Sequence, residues 1–568
     1  MSGDASPDRQ WWKEAIVYQI YPRSFNDSDG DGVGDLPGIT EKVEYLDDLG
    51  VDVIWLCPVY ESPNADNGYD ISDYRSIAAE YGTMADWENL LSELHTRDMR
   101  LLMDLVVNHT SDEHEWFQRS RRREDGYSNY YYWRDGSVDE DGEPIPPNNW
   151  ESFMGGSAWT YDDLRNQWYL HLFDEKQPDL NWRNPDVRDE IASLVEWWLE
   201  KGIDGFRIDA INYISKPNGL PDGTTDRETK GTELFSHGPR IHEYLRELYE
   251  RTFSNYDVMT VAEMNDTTVE MADDYLGEDG DGMNMIFHFE HMNIDISSRG
   301  RFDRQGWGEW SLPEFKEIMS RWQTKLEGDA WNAQYLGNHD QPRIVSRFGD
   351  DDAYRVESAT LLATFLLTSR GTPFIYQGEE IGMTNENFQR LETLDDPMSI
   401  GAIEGLIATG QADSYEELRD LVNYVSRDHA RTPMQWSDTA KAGFTTADPW
   451  FPLNENYPNI NVEAARADDE SIWHHYRRLI DLRHDEDVLV YGEYELLLPD
   501  DEQLYTYTRT LDDKEVLVVL NWSDETATVD LEDIDTGVKT VLLSNYDDSP
   551  VDLSGQEFQP YEAIIYRL

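Results

Sequence analysis

Cysteine is almost missing from this 568-residue chain. The single Cys57 lies in the apolar run VDVIWLCP, where it reads as a buried thiol, and one cysteine excludes any intramolecular disulfide. Long apolar runs are missing too. None approaches the ~18 to 20 residues that cross a bilayer, and the opening MSGDASPDRQWW has neither the basic head nor the apolar stretch of a secretion signal. The expectation is cytoplasmic residence. No Gly-rich phosphate loop follows the first strand candidate, which argues against a doubly wound nucleotide-binding sheet. No Cys/His cluster suggests zinc. Positive charge is in short supply: 47 basic residues face 116 acidic ones, for a formal net charge of -69, and lysine is scarcer than arginine. Such a chain repels nucleic acid and anionic membranes, so neither is expected as a partner. The acids are spread among ordinary apolar periods and not gathered in a tail, which describes a carboxylate-covered globular surface. Its self-repulsion destabilises the compact state until salt shortens the Debye length to about 3 Å at 1 M. A halophilic host and a salt-requiring fold are expected.

What the chain has is enough apolar material for a core, 39% hydrophobic and 12% aromatic, arranged as short apolar runs alternating with amphipathic segments. The strand candidates are AIVYQIY (15–21), VDVIWL (51–56), RLLMDLVV (100–107), GFRIDA (205–210), MTVAEM (259–264), MNMIFHF (283–289), WNAQYLGNHD (331–340) and TPFIYQGEE (372–380). Helix-like stretches such as ITEKVEYLDDLG, WENLLSELHTRD and VRDEIASLVEWWLEKG fall between them. Eight alternating units predict an α/β fold, a closed (β/α)8 TIM barrel, over 1–109 and 184–489. The aromatic, Pro- and Gly-rich stretch 110–183 reads as an inserted domain after the third strand. The alternating runs EYELLL, QLYTYTRT and KEVLVVLNW predict a C-terminal antiparallel β domain, a sandwich, over 490–568. A monomer or small homo-oligomer is expected.

Barrel enzymes build their sites at the C-terminal ends of the strands. Acids or histidines stand at four such ends: Asp104 to His109, Asp209, Glu263, and His339 with Asp340. Any one of them reads equally well as a structural ion pair, but four at equivalent positions do not. Asp209 and Glu263 end consecutive strand candidates, and neighbouring strands lie roughly 4.8 Å apart. Their carboxyls are therefore expected about 5 Å from each other, the separation of a retaining glycosidase. Arg207, two residues before Asp209 on the same strand face, is expected to keep that acid ionised. Earlier in the chain, DSDGDGVGD sets Asp27, Asp29, Asp31 and Asp35 among Gly30, Gly32 and Gly34, an oxygen-rich alternation suited to a hard cation such as Ca²⁺ or Mg²⁺. It is not an EF-hand, because the twelfth position is Gly38. The competing reading is a solvated acidic loop.

The set DLVVNH, GFRIDA, VAEM and LGNHDQPR, in this order, resembles the α-amylase superfamily of glycoside hydrolases, known as family 13. QPDLNW (177–182), SRDHARTPMQW (426–436) and GFTTADPWFPLNENYPNINVE look like its oligo-1,6-glucosidase and α-glucosidase branch. The resemblance implies Asp209 as nucleophile, Glu263 as general acid and base, and Asp340 as the acid that holds the sugar hydroxyls. It implies His109 and His339 as hydrogen-bonding partners of the −1 glucose, Tyr69 as its aromatic platform and Phe173 as another wall. Asp66 and Arg427 match a pair that closes the pocket beyond the non-reducing glucose. A structural divalent cation, Ca²⁺ or Mg²⁺, is implied at the Asp27 loop with the Val33 carbonyl as a further ligand. In this branch Val after the nucleophile accompanies α-1,6 preference and Ala or Thr accompanies α-1,4, so Ala210 implies an exo-α-glucosidase acting on maltose and short malto-oligosaccharides, with transglucosylation as a side reaction. Isomaltase activity is the alternative. RFDRQ (301–305) is close to a stretch of the related sucrose isomerases, against the reading of an exposed loop with a chance pattern.

Overall fold

In a computed structural model, residues 9–568 are described apart from 141, 225–228, 278–279, 298–299, 305–306, 327–329, 529–537, 548–552 and 554. Eight strands close a barrel: β1 (Val17–Ile20), β2 (Val53–Leu56), β3 (Arg100–Val106), β4 (Gly205–Asp209), β5 (Met259–Glu263), β6 (Met285–Phe287), β7 (Trp331–Gln334) and β8 (Thr372–Tyr376). Each strand pairs in parallel with its neighbours, and β8 returns to β1. β1, β2, β4, β6, β7 and β8 are buried along their whole length. This is why their sequences run apolar without alternation: a parallel strand packed on both faces has no solvent side. All eight expected strands exist. The seventh is shorter than its apolar run suggested, ending at Gln334, so His339 and Asp340 stand in the loop that follows and not on the strand.

The helices start where local chemistry sets them. Helix Pro185–Glu200 begins with Pro at its first position and Asn184 accepting from Asp186 N at 3.1 Å. Helix Met84–His95 opens on a reciprocal capping box between Thr83 and Asp86, which satisfies two otherwise orphaned N–H groups. ITEKVEYLDDLG is not one helix but two, Leu36–Glu41 and Val43–Leu49, broken at Lys42.

Between β3 and helix Pro185–Glu200 the chain forms a three-stranded antiparallel sheet from Trp133–Arg134, Trp159–Asp162 and Gln167–Leu170. Its core joins Trp150, Trp159 and Leu172 to Tyr213 and Phe235, which come from the segment after β4. The insertion is thus anchored on the barrel mouth that carries Asp209. At the other end, β9 (Glu493–Leu497), β10 (Leu504–Leu511), β11 (Lys514–Asn521), β12 (Thr540–Ser544) and β13 (Ala563–Arg567) form an antiparallel sheet in the order β9-β10-β11-β13-β12. One buried arginine fixes it to the barrel, and a second braces the barrel side of the junction. Arg509 donates to the carbonyls of Leu489 (2.8 Å), Val490 (3.1 Å) and Gly492 (2.9 Å), and Arg483 to those of Leu367 (2.8 Å) and Leu489 (3.0 Å). No described helix is long and apolar enough to cross a membrane.

Candidate active site

β4 and β5 pair in register from Gly205↔Met259 to Ile208↔Ala262, so Asp209 and Glu263 are the next residues opposite each other at the strand ends. One guanidinium holds both. Arg207 Nη1 lies 2.9 Å from Asp209 Oδ1 and 2.8 Å from Asp104 Oδ1, and its Nη2 lies 2.8 Å from Glu263 Oε2. The Ala210 N–H also donates to Glu263 Oε2 at 3.1 Å. Arg207 and Asp104 are sealed from solvent, whereas Asp209 and Glu263 reach the cleft.

Three carboxylates on one guanidinium cannot all ionise cheaply. Burial pushes the Asp209 carboxyl well above the usual range, Arg207 pulls it back, and Glu263 and Asp104 push it up again. Asp104 is likewise pushed up to about 6, mainly by burial. Arg207 favours the ionised form of Asp209 as expected, but its single charge is divided among three acids and burial outweighs it at Asp209. Two carboxyls facing the cleft on one guanidinium can divide the work of attacking a carbon and protonating a leaving oxygen.

Above this floor stand a tyrosine, two histidines and Asp66. The Tyr69 hydroxyl lies 2.7 Å from His339 Nε2 and donates to Asp104 Oδ2 at 3.1 Å, and the two rings stack at 5.3 Å. Burial lowers His339 to about 3 and His109 to about 4, so both are neutral imidazoles at ordinary pH. Gln177, from the QPDLNW segment, donates to Asp66 Oδ2 at 3.0 Å and sits 3.1 Å from His109 Nε2. Asp179 of the same segment is buried against Lys216, whose ammonium also donates to the Tyr213 carbonyl at 2.7 Å.

A second arginine cluster closes the far side. Asp340 Oδ1 accepts from Arg427 Nη1 and Arg431 Nη2, each at 3.1 Å. Burial opposes ionisation of Asp340, but His339, Arg427 and Arg431 hold its carboxyl well below the usual range. With His339 neutral, the two guanidiniums carry that effect at working pH. The expected Asp66–Arg427 pair is present at only 3.8 Å. The nearer partner of Arg427 is Asp396, whose Oδ1 accepts from Nε at 2.9 Å, and Asp66, pushed up to about 6 by burial, accepts from Gln177 while its own N–H donates to Asp70 Oδ1 at 3.0 Å. Asp396 and Arg431 escaped the sequence reading, although both left signals. Asp396 precedes Pro397 as the cap of helix Pro397–Ala408, and Arg431 stands four residues after Arg427, a spacing that puts both on one helical face.

The cleft between these clusters holds about 560 Å³, within the range of small-ligand sites. Asp66, Tyr69, His109, Phe173, Asp209, Glu263, Asp340 and Arg427 all line it, so the sequence-chosen residues converge, with His339 and Arg207 directly behind them. Ala210 lines it with φ +44°, a left-handed conformation rare for a residue other than Gly, Asn or Asp. Arg301 lines it too, donating to the Asp340 carbonyl at 3.1 Å and to Gln341 Oε1 at 3.2 Å. The exposed-loop reading of RFDRQ is thereby corrected for its first arginine; Arg304 instead approaches Glu417 at 3.6 Å, and Gln305 lies outside the described residues.

At the Asp27 loop, ligand oxygens of Asp27, Asp29 and Asp35 lie within 4.8 Å of one another. That spacing fits a hard divalent cation. Asp31 is not in this group; its Oδ1 accepts from Val33 N at 2.8 Å. Gly30 and Gly32 take positive φ of 81° and 104°, whereas Gly34 serves another purpose, since a Cβ there would come within 2.1 Å of the Pro22 carbonyl. The loop clasps a distant segment: Asp27 N donates to the Phe444 carbonyl at 3.1 Å and Trp450 N to that of Gly32 at 2.9 Å.

A parallel barrel that presents paired carboxyls, a third acid and two neutral imidazoles at one mouth is built as a glycoside hydrolase. The chain belongs to the α-amylase family: the α-amylase catalytic domain matches residues 19–492, and an α-amylase C-terminal domain of the SusG type matches 504–565. It is 50% identical over 567 residues to an oligo-1,6-glucosidase of Parageobacillus thermoglucosidasius, covering 99% of each chain. It is 46% identical to an α-glucosidase of Pediococcus pentosaceus, covering 98% of this chain and 99% of that one. The isomaltulose synthase of Klebsiella sp. LX3 superposes with a TM-score of 0.94 at 42% identity, over 99% of this chain and all of the other (100%). The chain is an α-glucosidase-type glycoside hydrolase.

Proposed function

We propose that the enzyme is a retaining exo-α-glucosidase that releases α-glucose from the non-reducing end of maltose and short malto-oligosaccharides. The observation that carries this reading is the joint grip of Arg207 on Asp209 and Glu263. Asp209 attacks the anomeric carbon while Glu263 protonates the leaving oxygen. Glu263 then takes a proton from water, which opens the covalent glucosyl ester from the same face. Asp340, His109, His339 and Tyr69 bind the hydroxyls and ring of the −1 glucose, with Phe173 beside them. The Arg427 cluster with Asp66 stops a longer chain from passing through, so cleavage proceeds from the end. Ala210, beside the reacting pair, leaves room for the acceptor sugar of an α-1,4 bond. Turnover of maltose, isomaltose, sucrose and trehalose, with the product anomer followed by NMR, tests the reading. Initial α-glucose from maltose is the expected product; initial β-glucose overturns the double displacement.

A second reading, glucosyl transfer within sucrose to make an isomeric disaccharide, is favoured by one observation: Arg301 faces the cleft on the Asp340 backbone. Isomaltulose or trehalulose from sucrose would establish it. We further propose Ca²⁺ or Mg²⁺ on Asp27, Asp29 and Asp35, a structural ion that ties the first barrel loop to residues 444–450 and takes no part in the chemistry.

A further inference from the structure

Three residues other than glycine adopt left-handed backbone around one side of the cleft: Ala210 (φ +44°), His237 (+50°) and Asp266 (+59°). Strain of this kind collects where the surrounding structure enforces a geometry that function needs. Ala210 and Asp266 line the cleft; His237 does not. It stands behind the wall, and its contacts join the loops that follow β4 and β5. The His237 N–H donates to the Asn212 carbonyl at 2.9 Å, and its Nε2 lies 3.3 Å from the Asn265 carbonyl and 3.3 Å from Thr267 Oγ1. A carbonyl only accepts, so Nε2 carries the proton, and Nδ1 accepts from the Tyr275 hydroxyl at 2.7 Å. The Asn212 side chain donates to the same Asn265 carbonyl at 2.8 Å. The turn cannot back away, because Gly238 is so close to the Ser215 carbonyl that a Cβ would meet it at 1.7 Å.

We propose that His237 is a positioning residue for the acceptor wall: through the Asn265 carbonyl it sets Asn265 and Asp266, the two residues that begin the cleft wall just beyond Glu263, against the loop carrying Asp209 and Ala210. The group placed there is the leaving sugar in the first step and the water or sugar acceptor in the second. His237 therefore governs how the glucosyl intermediate is divided between water and sugar hydroxyls, without touching substrate. This rests on the double-displacement reading above.

The test uses His237→Asn and His237→Gln in the full-length enzyme. Asn tolerates left-handed backbone but is too short to reach Asn265, whereas Gln restores an N–H donor of nearly the same reach. For His237→Asn we expect kcat/KM on maltose to fall roughly ten- to a hundredfold, the ratio of transfer products to free glucose at high maltose to change severalfold, and inhibition by 1-deoxynojirimycin, which occupies only the −1 position, to stay within twofold. His237→Gln should recover much of the loss. An unchanged transfer ratio with normal kcat/KM in His237→Asn overturns the proposal, as does a parallel loss of deoxynojirimycin affinity, which would mean general damage. A wild-type enzyme without activity on any α-glucoside would instead sink the functional reading, so the two failures are distinguishable.

Discussion

At the scale of single residues, the site works by dividing few positive charges among many acids. Arg207 answers Asp104, Asp209 and Glu263, and Arg427 answers Asp340, Asp396 and, more distantly, Asp66. Asp209→Asn should lower kcat by at least about a thousandfold while the protein stays folded, since the amide keeps the Arg207 contact but cannot attack; residual turnover and melting on the same sample check this. The raised Asp209 carboxyl gives the pH dependence. The nucleophile must be ionised to attack, so kcat/KM should fall on the acid side as Asp209 takes up a proton, at a pH above that of an ordinary aspartate. Asp104→Asn removes one neighbouring negative charge that favours the protonated form of Asp209, and should move this acid limb to lower pH by about one unit. Ala210→Val places a β-branched residue in left-handed backbone and narrows the acceptor side. It should raise the isomaltose-to-maltose ratio of kcat/KM by roughly tenfold, within the ~1 to 3 kcal/mol that one such contact commands.

At the scale of elements, two fastenings matter. The Asp27 loop draws three carboxyls together, and among the described residues none of them forms an ion pair, so removing a bound divalent cation with EDTA should lower Tm, and re-addition of Ca²⁺ should restore it. Asp27→Asn should blunt that response. The C-terminal sheet depends on Arg509, whose loss strands the carbonyls of Val490 and Gly492 and leaves that of Leu489 to Arg483 alone. Arg509→Ala should cost about 1 to 3 kcal/mol for each carbonyl left unpaired, read as a lower urea midpoint, while kcat at 25 °C remains near wild type because β9–β13 contribute no residue to the cleft.

Across the whole molecule, the surplus of 116 acids over 47 basic residues leads us to expect a fold that depends on salt. Most of these acids are on the surface, where their mutual repulsion extends over a Debye length of about 10 Å at 0.1 M salt and about 3 Å at 1 M. Tm should rise steeply with KCl through that range, and more than it does with an uncharged osmolyte of equal osmolality. An equal melting temperature in dilute buffer and in concentrated KCl would contradict this account.

The barrel was legible from the chain alone because buried parallel strands must be apolar on both faces, and eight such runs between helices admit few arrangements. The four acid- or histidine-bearing segments were legible for a related reason: ionisable groups beside apolar runs are costly unless a site uses them. Other features depended on three-dimensional proximity. That Asp396 and not Asp66 is the near partner of Arg427, that Asp31 stands apart from its neighbours, and that His237 reaches the loop beyond Glu263 are matters of distances of a few ångströms between segments far apart in sequence. Local pattern records which residue prefers burial, a cap or a turn. It does not record which buried charge lies nearest another, and in a cluster with fewer cations than acids that distance decides which acid each cation serves.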